Sequence, residues 1–375
     1  MIYLDNAATT YPKPDCLYQA LDYANRNCAF NSGRGLYNES ANAAKTIASV
    51  RKEIASFVNK DEESVIFASS ATEALNQIIY GLPLKKGDCV MVSPFEHNAV
   101  IRPLHLICEK KGVQMIVIPF VKETWELDEV KLQNILAINK PKAVFVSQIS
   151  NVTGYEIPYE RIFEASSKIG AICVLDASQG FGIVKITDTK NIDYIVFAGH
   201  KSLYASFGVG GFVICHSDCL DVVKAGGTGS DSLNMSMGDS GWDKFEAGSA
   251  NIVAIEGLHS AIKWIRSNNI YQQEKELTEY LIEKLSTLEK VHVFVPLTSS
   301  IFGIVSFVVD GYSPKDVGTI LYDEFGIAVR TGYHCAPLVH DFLGTRECLG
   351  TVRVSLGAFN SRKDIDLLVN ALETL

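Results

Sequence analysis

Nowhere in the 375 residues do about 18 apolar residues run uninterrupted, so no transmembrane helix is expected. Basic runs are missing too, and 34 Lys+Arg are outnumbered by 43 Asp+Glu for a net charge of −9. That balance removes the electrostatic footprint a nucleic-acid or anionic-membrane partner would need. No repeat period and no low-complexity segment occurs, and with 47% hydrophobic residues the composition excludes disorder. The opening MIYLDNAATT lacks the basic and then apolar stretch of a secretory signal. Its nine cysteines are odd in number and scattered, without the spacing of a disulfide framework. Neither His334, Cys335, His340 and Cys348 nor Cys215, His216 and Cys219 have the paired spacing of a zinc site, so no metal is expected. These absences together predict a cytoplasmic protein in a reducing compartment.

What is present is an alternation of short β-branched runs with helical patterns. Strands are expected at 65–68, 89–93, 114–119, 143–147, 172–175, 194–197 and 211–215. Several are continuous apolar runs of four or five residues, the mark of strands covered on both faces. The fold class expected is α/β, with a mainly parallel sheet carrying helices on both faces in a large domain over 12–250. From about residue 251 two helical stretches lead into a smaller α+β domain ending at 375, with strands at 291–295, 304–309, 328–330 and 351–355. Ser313/Asp316 and Ser361/Asp364 have capping-box spacing for its helices. Residues 1–11 join the two domains.

Ligands of open α/β sheets bind beyond the carboxyl ends of the strands, and the residues there are polar. They include Ser69 to Thr72, the pair Glu96 and His97, Ser150 and Asn151, Asp176 and Gln179, and His200 and Lys201. Each has a bland reading: Ser69 to Thr72 as a helix cap, His97 as a satisfied loop histidine, Asp176 as a turn residue, Lys201 as a solvated lysine. Together they are the parts that hold pyridoxal phosphate. A lysine forms the Schiff base, a carboxylate pairs with the ring nitrogen, and a helix start takes the phosphate.

At this point the chain resembles a known family. YLDNAATT (3–10), SSATEALN (69–76), Glu96-His97, SNVTG (150–154), DASQ (176–179), GHK (199–201), FEAG (245–248) and RTGYHCAP (330–337) look like the class V, fold-type I pyridoxal-phosphate enzymes. Within that class they look most like cysteine desulfurases and selenocysteine lyases. The resemblance implies Lys201 as the Schiff-base lysine, Asp176 as partner of the ring nitrogen and His97 as the imidazole on the ring. It implies Gln179 at the cofactor phenolate, Ala71, Thr72 and His200 at the phosphate, and Asn151 and Arg353 at the substrate carboxylate. Ser249 and Arg34 would reach the site of a second subunit in a homodimer, and Cys335 would receive the sulfur.

Four positions depart from the pattern. Ala198 replaces a phosphate-binding serine, Ala205-Ser206 a Gly-Pro, Ser249-Ala250 a Thr-Pro, and Tyr333 a histidine. The activity implied is cleavage of L-cysteine to L-alanine with a persulfide on Cys335, which a sulfur-acceptor protein would draw off. Selenocysteine lyase, cysteine sulfinate desulfinase and another class V epimerase or aminotransferase are the rival enzymes. A sulfur-relay protein without turnover is the non-enzymatic rival. For Cys335 the bland reading is a small buried hydrophobe; its neighbours Gly332, Tyr333, His334 and Pro337 look like a flexible loop and favour a reactive thiol, with His334 as the candidate positive charge beside it.

Overall fold

The structure is a computed structural model that describes residues 1–33, 35–216, 219–228, 233–297 and 300–375. Seven strands form the central sheet: β2 (Val65–Ala68), β3 (Cys89–Val92), β4 (Gln114–Val117), β5 (Ala143–Ser147), β6 (Ile172–Asp176), β7 (Tyr194–Ala198) and β8 (Gly210–Ile214), in the order β2-β8-β7-β6-β5-β3-β4. The pairs from β7 to β4 are parallel, and β8 runs antiparallel to both β2 and β7. Every residue of β3, β5, β7 and β8 is buried, as apolar runs covered on both faces require.

The smaller unit is built on a four-stranded antiparallel sheet. Its strands are β9 (Val291–Phe294), β10 (Ile304–Val309), β12 (Arg330–Gly332) and β13 (Thr351–Ser355), ordered β12-β13-β10-β9. Helices Pro314–Phe325 and Arg362–Leu372 start where the capping spacing predicts. Ser313 Oγ accepts from Asp316 N at 3.2 Å, and Ser361 and Asp364 exchange both bonds of the box.

One expected strand divides. The run at 328–330 becomes β11 (Ile327–Ala328) and β12, separated at Val329, because the two halves pair with different partners. β12 joins β13, whereas β11 pairs in parallel with β1 (Ile2–Tyr3), a strand too short to show a period in the sequence. Leu4 buries itself among the apolar side chains of the smaller unit, and the chain then crosses to the large sheet.

The two units are locked where the chain has no freedom to spare. Gly154 has φ +71°, and a Cβ there would sit 2.2 Å from the carbonyl oxygen of Ile304 at the start of β10. Nearby, Tyr204 donates its phenol proton to Glu274 Oε1 at 2.7 Å and accepts from Ala358 N at 2.6 Å. Burial pushes the Glu274 carboxyl up to about 8, against the pull of the Tyr204 bond. The folded state therefore keeps a proton that the unfolded chain loses above about pH 4.5. This contribution is fully present below that pH and is lost as pH rises to about 8. Glu274→Gln is expected to flatten the fall in unfolding free energy between pH 5 and 8 by more than about 1 kcal/mol, measured by urea denaturation. An unchanged slope would show that Glu274 is ionised in the folded protein.

Candidate active site

Parallel strands β5, β6 and β7 end side by side, and their ends carry Ser147, Asp176 and Ala198. A pocket of about 70 Å³ opens there, lined by Ser70, Ala71, Thr72, His97, Asn151, Asp176, Gln179, Ala198, His200 and Lys201 among others. Residues up to 131 positions apart, from Ser70 to Lys201, are thus brought together by topology.

One wall is the N-terminus of helix Ala71–Gly81. Ser70 caps it, accepting from Glu73 N at 3.2 Å, which leaves the preceding N–H groups directed at the pocket end of the helix. Gly210 on β8 lies directly behind: a Cβ would come within 2.9 Å of Ala71 N. Such a helix start is an anion site. His200 lines the same pocket, with Nδ1 buried and without a partner among the described residues. Phe207 stacks on its ring at 4.6 Å, and burial lowers its pKa to about 4, with Lys201 and Lys13 adding to the shift.

Opposite stand a carboxylate and an amine. Asp176 is 8% exposed, and its Oδ1 accepts from Ser178 N at 3.0 Å and Ser178 Oγ at 2.5 Å. Lys201 is half-buried as a residue, but its amine is enclosed by protein. Desolvation lowers its pKa, with Asp176 opposing and Arg353 assisting. An amine held toward its neutral form is a nucleophile and a base.

His97 is both a cap and a pocket wall. Its Nδ1 accepts from Ala99 N at 3.0 Å, which assigns the proton of the neutral ring to Nε2. Burial, then Lys201, Arg353 and Arg102, lower its pKa to about 3, so the ring facing the pocket is neutral. Behind it Glu96 is fully buried and accepts from Ser93 Oγ, Ser147 N and Ser147 Oγ at 2.5, 2.7 and 2.9 Å. Burial, with Asp176 adding repulsion, raises the Glu96 carboxyl to about 7.

Asn151 and Arg353 are in contact, Arg353 Nη1 donating to the Asn151 carbonyl at 2.8 Å. The Asn151 amide is itself committed, since Nδ2 donates to the His334 carbonyl at 2.7 Å. Gln179 Nε2 donates to the Ala7 carbonyl at 3.1 Å. Cys335 is exposed, so the bland reading of a buried hydrophobe falls. Its turn has φ +48° at His334 and +56° at Cys335, and the Cys335 carbonyl accepts from Asn98 N at 2.6 Å. The segment expected to be a loose loop is a pinned turn leading into helix Pro337–Leu343.

His334 is not the positive charge beside the thiol. Its ring is buried, bonded through Nε2 to Thr351 Oγ1 at 2.9 Å, and burial drives its pKa to about 2. The cations within electrostatic reach of Cys335 are Lys201, Arg330 and Arg353. Ser249 lies elsewhere. It accepts from Asn31 Nδ2 at 3.1 Å and lines a separate cavity of about 620 Å³ with Arg51, Trp242 and Glu246. Arg34 lies outside the described residues.

Reading the sequence missed Asp5, Thr9, Thr10 and Lys13 as site residues. Asp5 receives both Arg330 and Arg353, and the other three converge on the His200 carbonyl. Their only signal was membership of the YLDNAATT motif and its continuation.

The chain matches known proteins over nearly its whole length. Residues 2–368 match the family described as aminotransferase class-V. The chain is 32% identical to a probable cysteine desulfurase of Vibrio cholerae, covering 99% of this chain and 93% of that one. It is 30% identical to a cysteine desulfurase of Pectobacterium carotovorum, covering 100% and 93%. Among solved structures it resembles the apo cysteine desulfurase of Thermococcus onnurineus, with TM-score 0.90, 30% identity and coverage of 100% and 94%. An Escherichia coli cysteine desulfurase in an S-sulfonic acid form matches at TM-score 0.86 and 27% identity, covering 99% and 94%.

Because Gly210 backs the helix start so closely, Gly210→Ala is expected to displace it at a cost of about 1–3 kcal/mol. Inorganic phosphate should bind the variant at least tenfold more weakly by calorimetric titration. Equal affinity would show that the pocket takes anions elsewhere.

Proposed function

The chain belongs to the aminotransferase class-V family, and from that premise we propose that it is a pyridoxal-phosphate-dependent cysteine desulfurase, converting L-cysteine to L-alanine and collecting the sulfur as a persulfide on Cys335. One observation carries the reading: the thiol of Cys335 is exposed on a turn pinned to Asn98 and Asn151, within electrostatic reach of the pocket lysine.

The donor set suits the cofactor. The helix start at Ala71 and Thr72, with the unpartnered Nδ1 of His200, would hold the phosphate. Asp176 would hold the ring nitrogen, Gln179 the phenolate oxygen, His97 the ring face and Lys201 the aldehyde carbon. Ala198 is buried in this wall and offers no hydroxyl, so the phosphate relies on the remaining donors. When bound, the cofactor supplies an electron sink for the bond breaking at the substrate Cα.

The chain's own residues do the rest. Arg353 and Asn151 hold the substrate carboxylate and orient Cα. Lys201, its amine held toward the neutral form by desolvation, takes the proton from Cα. The Cys335 thiolate attacks the substrate sulfur, and the Cβ–S bond breaks with its electron pair going to carbon. The proton of the substrate thiol ends on Cβ to make the methyl group of alanine, Lys201 returns its proton to Cα, and the sulfur stays on Cys335 as the persulfide anion. Arg330 and Arg353 are the positive charges within electrostatic reach of Cys335. The persulfide is left on an exposed residue, open to the thiol of an acceptor protein.

A homodimer belongs to this reading. Ser249 lines a separate cavity and not the pocket of its own chain, and Leu36, Tyr37, Leu233 and Met235 are exposed apolar side chains of the kind a second copy would cover. No helix of the described residues is long and apolar enough to cross a membrane, and all nine cysteines are free thiols, which supports a cytoplasmic, reducing setting. Sedimentation at micromolar concentration should give twice the 41.1 kDa chain mass, and a fully active monomer would contradict the shared face.

The decisive test is Cys335→Ser, which replaces a thiol by a hydroxyl that is almost never ionised at neutral pH. Alanine formation from cysteine should fall by at least about 100-fold, while the absorbance change on adding cysteine to the holoenzyme persists. Alanine production at the parent rate would remove Cys335 as the sulfur acceptor.

A further inference from the structure

Arg330 and Arg353 face each other directly across the antiparallel pair β12 and β13, an arrangement in which like charges repel. Asp5 is inserted beside them, its backbone bridged in parallel to Ser355 two residues after Arg353. Its Oδ1 accepts from Arg353 Nη2 at 2.7 Å, and its Oδ2 from Arg330 Nη2 at 2.9 Å and Nε at 3.0 Å. The three side chains differ in access. Arg353 is 2% exposed, Asp5 13% at its side chain, and Arg330 47% at its side chain.

The count of bonds is uneven. Arg330 donates to Asp5 from two nitrogens, its Nε shared between both carboxylate oxygens at 3.1 and 3.0 Å, whereas Arg353 donates from Nη2 alone, and its Nε is buried without an acceptor among the described residues. One carboxylate shared between two guanidinium groups leaves one unit of positive charge uncompensated. The arginine that carries the surplus is the buried one, joined to Asn151 at the pocket wall.

We propose that Asp5 is a positioning residue for the substrate carboxylate: held by Arg330, it aims Arg353 and leaves that guanidinium with room for one further carboxylate. Substrate binding then supplies the acceptor that Arg353 lacks, and Arg330 keeps Asp5 from neutralising Arg353 completely. The inference rests on the reading of Arg353 as the carboxylate-binding residue of a cysteine desulfurase.

The test compares two probes that carry no thiol, L-alanine and L-alaninamide, binding to the holoenzyme and followed by absorbance. They differ in the carboxylate alone. For Asp5→Asn, L-alanine should bind at least tenfold more weakly and L-alaninamide within twofold of the parent. The KM for L-cysteine should rise at least tenfold with kcat changed less than threefold. A pure charge effect has the opposite sign, because removing the anion would tighten L-alanine; that result overturns the proposal. Equal weakening of both probes also overturns it, since it marks a structural role at the β1 strand. Should Asp5→Asn fail to fold, Arg330→Gln decides. Asp5 is then left to Arg353 alone, so L-alanine should weaken at least tenfold and L-alaninamide should not; equal affinities for L-alanine overturn the proposal. Parent turnover of L-cysteine is measured alongside. Its absence would sink the desulfurase reading, while the alanine and alaninamide comparison, which needs no C–S cleavage, still judges Asp5.

Discussion

The carbonyl oxygen of His200 receives four donors: Thr10 N at 3.2 Å, Thr9 Oγ1 at 3.0 Å, Thr10 Oγ1 at 3.3 Å and Lys13 Nζ at 2.8 Å. That carbonyl belongs to the peptide immediately before Lys201. Fixing it fixes the start of the lysine side chain, and all four donors come from the first thirteen residues. The same segment gives its Ala7 carbonyl to Gln179 and its Asp5 carboxylate to Arg330 and Arg353. A strand of two residues, β1, anchors this segment on the smaller unit, so the pocket on the large sheet is assembled by a strap rooted elsewhere. Geometry of this kind, held by several bonds at once, is what places a reacting group to within fractions of an ångström.

Burial of charge around the pocket is organised in layers. Nearest the cavity are a carboxylate and an amine, Asp176 at the end of β6 and Lys201 just beyond the end of the neighbouring β7. Behind Asp176, across the register pair Ser147 and Asp176, Glu96 is enclosed by hydroxyl and amide donors, and its raised pKa follows from desolvation and the nearby like charge. The three histidines at the site, His97, His200 and His334, are all driven toward the neutral form by burial. Positive charge near the thiol consequently comes from the guanidinium groups of Arg330 and Arg353, which hold their protons at neutral pH where a buried imidazole does not.

A second ion pair lies at the β2 edge of the large sheet. Arg51 and Glu246 meet through two bonds of 2.6 Å, and Glu246 also accepts from Phe67 N at 2.6 Å on β2. Arg51 lies 4.8 Å above the Phe67 ring, so the pair is packed as well as bonded. It ties the segment carrying Ser249 to the edge of the large sheet, which explains how a residue distant from its own pocket is held in a defined place.

The sequence by itself determined the elements and their chemistry. Runs such as 143–146 and 194–198 are apolar throughout, the mark of strands covered on both faces, so the buried parallel sheet was legible without coordinates. Capping serines at 70, 313 and 361 marked helix starts through local hydrogen bonds, which need no tertiary information. Asp176, Gln179, His200 and Lys201 stood out because each follows a strand, and strand ends define where an α/β fold binds ligands. Tertiary structure decided everything that depends on a partner distant in the chain. Strands β1 and β11 are two residues each and exist only because they pair across 325 positions, from Ile2 to Ile327. Asp5 became a site residue by meeting arginines at 330 and 353, and nothing in its own neighbourhood announces them. His334, adjacent to Cys335 in sequence, was the natural source of charge for the thiol; burial against Thr351 removed it from that role, because desolvation is a property of the surroundings and not of the residue.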